Sequence, residues 1–519
     1  RKALAYRIPL FQRKQIQNTI QALGSGLGMQ GGNHHVTGFG GSKGGLLPST
    51  DGKYWGKPGN DPYTTGYANT DWYKELYKDN SFSQEHNVSV SGGSKDFKYY
   101  ASLGYLNSNG LIRYGSDNQQ RYNASANFSA NLSSWATLSY NVRFIRNNKH
   151  TPATYISNMY QEIGRQTWPN LPVFDENGYF TGNGSGGSLA QKLAESGYSE
   201  STADQLSQQA ALVLEPIKNW RTHIEFNFRD NYTNSMTLSL PCQDHDVEGN
   251  LVPTTSSTSL SNSESRTEHY NWNIYSDYTF DINKVHNIKV MAGFQTDEQI
   301  MKSFNASRNG VQDPNLPVLG LTTGLNGKGE ATTPSVGGSE NQWATAGFFG
   351  RVNYDYKGKY LFEANLRYDG TSRFRADSRW TYSPSFSAGW NVAQEPFWSG
   401  LKKTINQFKV RLSYGTLSNQ NTSGYYPTYR TMSLGSSNGS WLQNGNKPNT
   451  AYVGGLISSS LTWEKVNTYN AALDWGAFNN RFTGSLEYFQ RFTNDMVGPA
   501  IALPVTLGLS APSANNCDL

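Results

Sequence analysis

Cysteine, long apolar stretches and charge of one sign are all scarce in this 519-residue sequence. Its two cysteines, Cys242 and Cys517, lie far apart, so neither a disulfide framework nor a zinc ribbon is indicated, and nothing supports a bridge between them. No run of 18 apolar residues occurs, which excludes helical membrane spans. The net charge of +5 is scattered without a basic tract, so the sequence indicates no nucleic-acid partner.

Aromatic residues and glycine are abundant. The chain has 13% aromatic residues and 52 glycines, but only 36% hydrophobic residues and a mean hydropathy of −0.64. This combination fits either a large soluble β protein or a membrane β-barrel, because the polar lumen face of a barrel lowers the average hydropathy.

Residues 121–144 show an alternation that favours the barrel. In RYNASANFSANLSSWATLSYNVRF, large or apolar residues alternate with small polar or charged ones, which predicts two strands joined by a tight turn at Ser133-Ser134-Trp135. The polar face of a soluble sandwich is usually rich in Lys, Glu and Thr, whereas here it is mostly Asn and Ser.

The same hairpin pattern recurs along the chain and predicts about fourteen strands of roughly ten residues, a length that crosses a bilayer at a tilt. Short turns alternate with long Gly-, Ser- and Asn-rich connections, which we place at 149–207, 238–266, 304–342 and 418–461. Strict alternation puts all long connections at one end, as in an outer-membrane barrel with extracellular loops.

The alternation also assigns faces. We predict that one set of aromatic residues contacts lipid: Phe128, Tyr140, Phe226, Trp272 and Phe362. The neighbouring asparagines should face the lumen, because a slip of one residue would invert a whole strand: Asn127, Asn141, Asn227, Asn273 and Asn365.

No catalytic signature is present. The eight histidines show no HExxH spacing, and neither GxSxG nor a P-loop occurs, so we predict that the protein is not an enzyme and requires no cofactor. The best metal candidate is calcium at Asp244, Asp246 and Glu248, which have the spacing of the first half of an EF-hand loop. The twelfth position is Thr255 rather than Glu, and a plain acidic turn is the competing interpretation.

Six phrases resemble the SusC (SusC/RagA) family of TonB-dependent outer-membrane transporters. They are NTDWYKEL (69–76), HNVSVSGGSKDFKYYASLGYLNSNGLI (86–112), RYDGTSRFRADSRWTYSPSFSAGWNVAQEPFW (367–398), KVRLSYGTLSNQ (409–420), LTWEKVNTYNAALDW (461–475) and APSANNCDL (511–519).

The resemblance implies an all-β fold, a transmembrane antiparallel up-and-down barrel of 22 strands with an N-terminal plug, of which this chain would carry about fourteen. It divides the chain into a loop region and barrel entry over 1–85 and a partial barrel over 86–519, without the plug. Because open strand edges in lipid would leave backbone groups unpaired, we expect the rest of the polypeptide or a partner chain to supply the missing strands.

The function that the resemblance implies is TonB-dependent import of a nutrient oligomer across the outer membrane, a glycan first and a peptide as the alternative. The implied partners are a SusD-like lipoprotein, the TonB complex acting through the plug, and outer-membrane lipid, and the resemblance allows a dimer of transporter–lipoprotein pairs. A soluble or cell-surface β-rich binding module is the competing class.

Substrate contacts are expected at the top of the lumen, where aromatic rings stack on sugars and polar side chains bind hydroxyls. The candidates are Tyr160, Arg165, Trp168 and Trp441, with packing between loops as the alternative role. We expect Arg373, Arg375 and Arg379 to form ion pairs with Asp369 and Asp377 rather than to bind ligand.

Overall fold

The computed structural model describes residues 70–154, 160, 163, 173–174, 177–180, 189–245, 249–420, 422, 424–435, 442–458, 461–498, 504, 506, 508–509 and 512–519. Fourteen strands form one antiparallel sheet in which each strand pairs with the next along the chain. The strands are β1 (Ser83–Gly93), β2 (Phe97–Asn109), β3 (Asn118–Ser133), β4 (Ala136–Pro152), β5 (Gly197–Ile217), β6 (Trp220–Ser239), β7 (Ser259–Ile282), β8 (His286–Asn309), β9 (Ser335–Tyr356), β10 (Tyr360–Thr371), β11 (Trp380–Asn391), β12 (Ile405–Asn419), β15 (Glu464–Ala477) and β16 (Phe482–Asn494).

Smaller elements lie outside this sheet. Strands β13 (Met432–Gly435) and β14 (Thr450–Val453) pair with each other, as do β17 (Met496–Gly498) and β18 (Ala514–Cys517). Helices α1 (Trp72–Leu76) and α2 (Leu189–Glu195) and the 3-10 turns Leu319–Leu321, Val392–Gln394 and Pro396–Trp398 are all short. Within the described ranges, no helix combines the length and apolar character that spanning a membrane requires.

The connections alternate as predicted, with short turns at one end and the four long connections at the other, except that 392–404 has 13 residues and is longer than 110–117 and 372–379, which have 8 each. One end of the sheet carries the turns 94–96, 134–135, 218–219, 283–285, 357–359, 392–404 and 478–481, and the other carries 110–117, 153–196, 240–258, 310–334, 372–379 and 420–463. Tight turns require positive φ, which Asn219 (69°) and Lys357 (54°) adopt. The predicted fourteen strands and their hairpin order are confirmed.

The predicted strand length was wrong for the middle of the sheet. Strands β5 to β9 contain 20 to 24 residues rather than about ten, so the three long connections that they flank are shorter than the sequence suggested, whereas 420–463 is as long as predicted. The physical reason lies on the apolar face, where side chains are mostly apolar for about the first ten positions from the short turn and mostly polar or charged beyond, with exceptions such as Met236 and Phe304. A strand needs only about ten residues to cross the hydrocarbon, and these strands continue past it.

The outer edges of β1 and β16 have no strand partner among the described residues. The sheet is therefore open, and the expectation that further strands close it stays a prediction. The predicted boundary at residue 86 falls inside β1 (Ser83–Gly93) and also stays a prediction.

Candidate functional site

One face of the sheet carries a row of amide side chains that continues from strand to strand. Asn141 Nδ2 donates to Gln209 Oε1 at 3.1 Å, and Asn227 Nδ2 donates to Asn271 Oδ1 at 3.0 Å. The register aligns the members of the row across β3 to β7 as Asn127, Asn141, Gln209, Asn227 and Asn271. The five members of this row are neutral and offer both hydrogen-bond donors and acceptors.

The opposite face carries an apolar row one residue away along each strand. The rings of Phe226 and Trp272 lie 4.6 Å apart. In register, the row consists of Phe128, Tyr140, Ala210, Phe226 and Trp272.

The register joins the remaining predicted residues to these two faces. Phe362 pairs with Tyr354, which pairs with Ile288, which pairs with Phe280, and Phe280 shares its face of β7 with Trp272. By the same alternation, Asn273 and Asn365 lie on the amide face. The predicted division of the ten residues between two faces is confirmed.

Ion pairs mark the upper limit of the apolar face. Arg146 contacts Asp204 at 2.7 Å, and Arg266 contacts Asp230 at 2.9 Å. A third pair, Lys302 and Glu340 at 3.0 Å, lies on the same face of β8 and β9. All three lie on the side of the long connections, above the apolar stretch of their strands. Charges on the lipid face are costly near the bilayer midplane, so the hydrocarbon boundary lies below these pairs.

The connections at this end enclose a hydrophobic core of their own. Tyr114 donates a hydrogen bond to Glu75, and burial, followed by this bond, raises the pKa of the Tyr114 phenol. Arg113 Nη2 donates to the Lys74 carbonyl at 3.0 Å and ties α1 to the 110–117 connection. The buried residues come from separate segments: Trp72, Leu76, Ile112, Ile163, Val173, Leu189, Ala190 and Leu193.

The predicted substrate residues fall largely outside the described residues. Arg165, Trp168 and Trp441 all do. Tyr160 is described, and its ring lies 4.9 Å from that of Tyr73 while 62% of its surface remains exposed. Tyr160 thus combines packing between loops with an accessible face, and the substrate role of all four residues stays a prediction.

The arginine prediction for the β10–β11 region was wrong. Asp369 pairs with Arg367, at 2.8 Å, because both lie on the amide face of β10. The Arg373 guanidinium instead lies between the rings of Trp343 and Tyr425, 5.3 Å and 5.4 Å from their centroids. It attaches the long 420–463 connection to β9 through cation–π contacts, which the sequence spacing did not reveal.

The calcium candidate is partly described. Asp244 Oδ1 accepts a hydrogen bond from Gln191 Nε2 at 3.3 Å, whereas Asp246 and Glu248 lie outside the described residues, so the calcium site stays a prediction. Cys242 and Cys517 are both free thiols, and burial raises the pKa of the Cys242 thiol.

Comparison with known proteins places this geometry in a family. Residues 165–515 match the model of the TonB dependent receptor-like β-barrel. The chain is 27% identical over 491 residues to the TonB-dependent receptor SusC of Bacteroides thetaiotaomicron, covering 88% of this chain and 45% of SusC. It is 26% identical over 483 residues to the TonB-dependent receptor P26 of Formosa agariphila, and this match covers 88% of this chain and 44% of P26. The chain thus spans about half the length of the curated relatives it matches.

Solved structures show the same fold. A structure of the RagAB peptide transporter matches with a TM-score of 0.72 at 22% identity, covering 87% of this chain and 48% of that one. The RagAB peptide importer in its open-open state matches with a TM-score of 0.74 at 20% identity, and this match covers 96% of this chain and 53% of the importer chain. The family match over most of the chain, together with the continuous fourteen-stranded sheet, shows that the chain belongs to the TonB-dependent receptor-like β-barrel family and is an outer-membrane homologue of SusC.

Proposed function

We propose that this chain forms the barrel wall of a TonB-dependent importer that carries a nutrient oligomer across the outer membrane. The observation that carries the proposal is the pairing of an apolar face with a continuous amide row on the same strands. Such a row of neutral amides gives a hydrated oligomer many exchangeable hydrogen bonds along the wall.

The cargo we propose is a glycan, with a peptide as the second candidate. The amide row and the exposed ring of Tyr160 suit sugar hydroxyls and sugar faces. Peptide cargo is supported by the fold shared with the RagAB peptide transporter, since amides bind peptide backbones equally well. Growth of a deletion strain on matched oligosaccharide and oligopeptide media separates the two, because only the cognate nutrient should require the transporter.

The long connections are proposed to form the rim for a SusD-like lipoprotein lid, and TonB is proposed to act through a plug. Replacing Trp168 and Trp441 together with Ala should weaken uptake while leaving surface abundance and lipoprotein association unchanged. Unchanged growth on the cognate nutrient, at normal abundance of the double variant, would return both tryptophans to loop packing.

A calcium ion at Asp244, Asp246 and Glu248 is a separate proposal. Chelation should then loosen the 240–258 connection, and the Asp244→Asn variant should be insensitive to chelator. Limited proteolysis with and without calcium measures this. Identical cleavage under both conditions would contradict calcium binding and favour a plain acidic turn.

A further inference from the structure

Two arginines on the amide face have no charged partner among the residues that the structure describes. Arg143 lies two residues from Asn141 on β4, and Arg229 lies two residues from Asn227 on β6, so both share the amide face. The register pairs both with Ser207 on the strand between them. Their Cα atoms are therefore separated by two strand spacings, about 10 Å, and both side chains can reach the space above Ser207.

Several other arginines of the sheet have acidic partners. Arg146 contacts Asp204, Arg367 contacts Asp369, and Arg411 contacts Asp474 at 2.7 Å. Arg143 and Arg229 are both exposed, and within the described residues neither makes an ion pair or a hydrogen bond.

None of their direct cross-strand neighbours is acidic. Cross-strand neighbours of the pair are Ser125, Ser207 and His269, and the ring of His269 contacts the nearby carboxylate of Asp297. Two like charges about 10 Å apart on one polar face create a local positive potential that a mobile anion would stabilise.

The position of Arg143 and Arg229 along their strands is also compatible with ligand binding. Phe144 and Phe228, which adjoin the two arginines on the apolar face, are the last aromatic residues of their strands before the charged Arg146 and Asp230. The pair therefore lies near the upper edge of the apolar face, at the end of the sheet that carries the long connections.

We propose that Arg143 and Arg229 form a binding site for a carboxylate group of the cargo. Both guanidinium groups would donate charge-assisted hydrogen bonds to the anion, with the amides of Gln205 and Gln209 beside them. This rests on the proposed transport function, and it deepens it by selecting oligomers that carry carboxylates: uronic acids in a glycan, or acidic side chains in a peptide.

The site is tested first without cargo. In the full-length transporter, Ser207→Cys is reacted with an anionic and a cationic methanethiosulfonate reagent of similar size, and Ser265→Cys on the same face serves as the control. We expect the anionic-to-cationic rate ratio to be roughly tenfold higher at position 207, from two charges screened over less than a Debye length. Adding Arg143→Gln and Arg229→Gln should remove the difference, whereas Arg146→Gln, on the other face, should not.

Equal ratios at positions 207 and 265 in the otherwise unaltered protein would overturn the proposal, because a carboxylate of the transporter itself would then already neutralise the pair. An unreactive thiol at position 207 would overturn it as well, since cargo could not reach the site. Neither readout requires transport, so they remain informative if the proposed function fails.

Protection experiments with charged and neutral oligomers then distinguish whether the carboxylate belongs to a glycan or to a peptide. Oligogalacturonate and its methyl ester form one pair of probes, and an oligoglutamate and an oligoglutamine form the other. Protection of the Ser207→Cys thiol by the charged member of one pair, and at least fivefold less by its neutral counterpart, identifies that source. Equal protection by charged and neutral members of both pairs would overturn the carboxylate assignment.

Discussion

The two faces of the sheet are built from the same strands but have side chains suited to different surroundings, lipid on one face and water on the other. The apolar face presents side chains such as Phe226 and Trp272, whose contacts are interchangeable because lipid makes no directional demands. The amide face relies on specific cross-strand partners, such as Asn227 with Asn271 and Arg411 with Asp474. The cost of a substitution should therefore depend on depth on the first face and on the partner on the second.

The largest expected effect comes from placing a charge on the apolar face. Ile224 lies five positions above the 218–219 turn, near the middle of the apolar stretch of β6. Ile224→Arg should destabilise the barrel by about 2 to 4 kcal/mol, because the charge enters hydrocarbon near the midplane. Reversible urea unfolding in lipid vesicles measures this.

The matched control is Ala211→Arg, on the neighbouring strand and the opposite face. Ala211 pairs in register with Glu225, so the new guanidinium would meet water and an acidic neighbour, and folding should be nearly unaffected. Equal losses from the two variants would contradict the division of faces.

A charge placed on the apolar face closer to the membrane interface should destabilise the barrel less. Phe362 lies close to the 357–359 turn, nearer the interface than Ile224. Phe362→Arg should therefore cost less, toward about 1 kcal/mol. A loss as large as that of Ile224→Arg would contradict this placement of the membrane.

On the amide face, removing the acidic partner of an ion pair should destabilise the barrel more than removing a neutral hydrogen-bond donor. Asp474 accepts two hydrogen bonds from Arg411 and one from Ser485 at 2.9 Å. Asp474→Ala leaves the partly exposed Arg411 unpaired and should cost about 1 kcal/mol. Ser485→Ala removes a neutral donor only, so urea unfolding should show a clearly smaller loss. The reverse order would show that the ion pair contributes nothing.

The smallest effect is expected in the amide row. Asn227→Ala removes the 3.0 Å hydrogen bond to Asn271, whose amide also donates to the Thr296 carbonyl at 2.8 Å. Because water in the lumen can replace the lost partner, the cost should be about 0.5 kcal/mol or less. A loss above about 2 kcal/mol in the same unfolding assay would indicate a buried structural network instead of a hydrated wall.

The sequence was sufficient for whatever depends on alternation. Residues such as Phe128 and Asn127 were assigned to opposite faces from the period of two alone, and the hairpin order followed from the spacing of turns. The ends of β7 (Ser259–Ile282) were not predictable in this way, because the apolar alternation stops where the bilayer ends, while the hydrogen-bonded ladder continues in water.

Contacts between distant segments were also beyond the sequence. The burial of Trp72 against Ile112 and Leu193, and the position of Arg373 between two aromatic rings, depend on connections that carry no periodic pattern. The unpaired state of Arg143 emerged only from the register, since a nearby acid in sequence says nothing about the neighbouring strand.

The central claim is that the apolar face contacts lipid and the amide face lines an aqueous lumen. The most direct test introduces single cysteines at the ten positions for which the sequence assigned a face and measures their reaction with a membrane-impermeant maleimide. We predict reaction at positions 127, 141, 227, 273 and 365 and protection at 128, 140, 226, 272 and 362. Protection of the first set together with reaction of the second would contradict it.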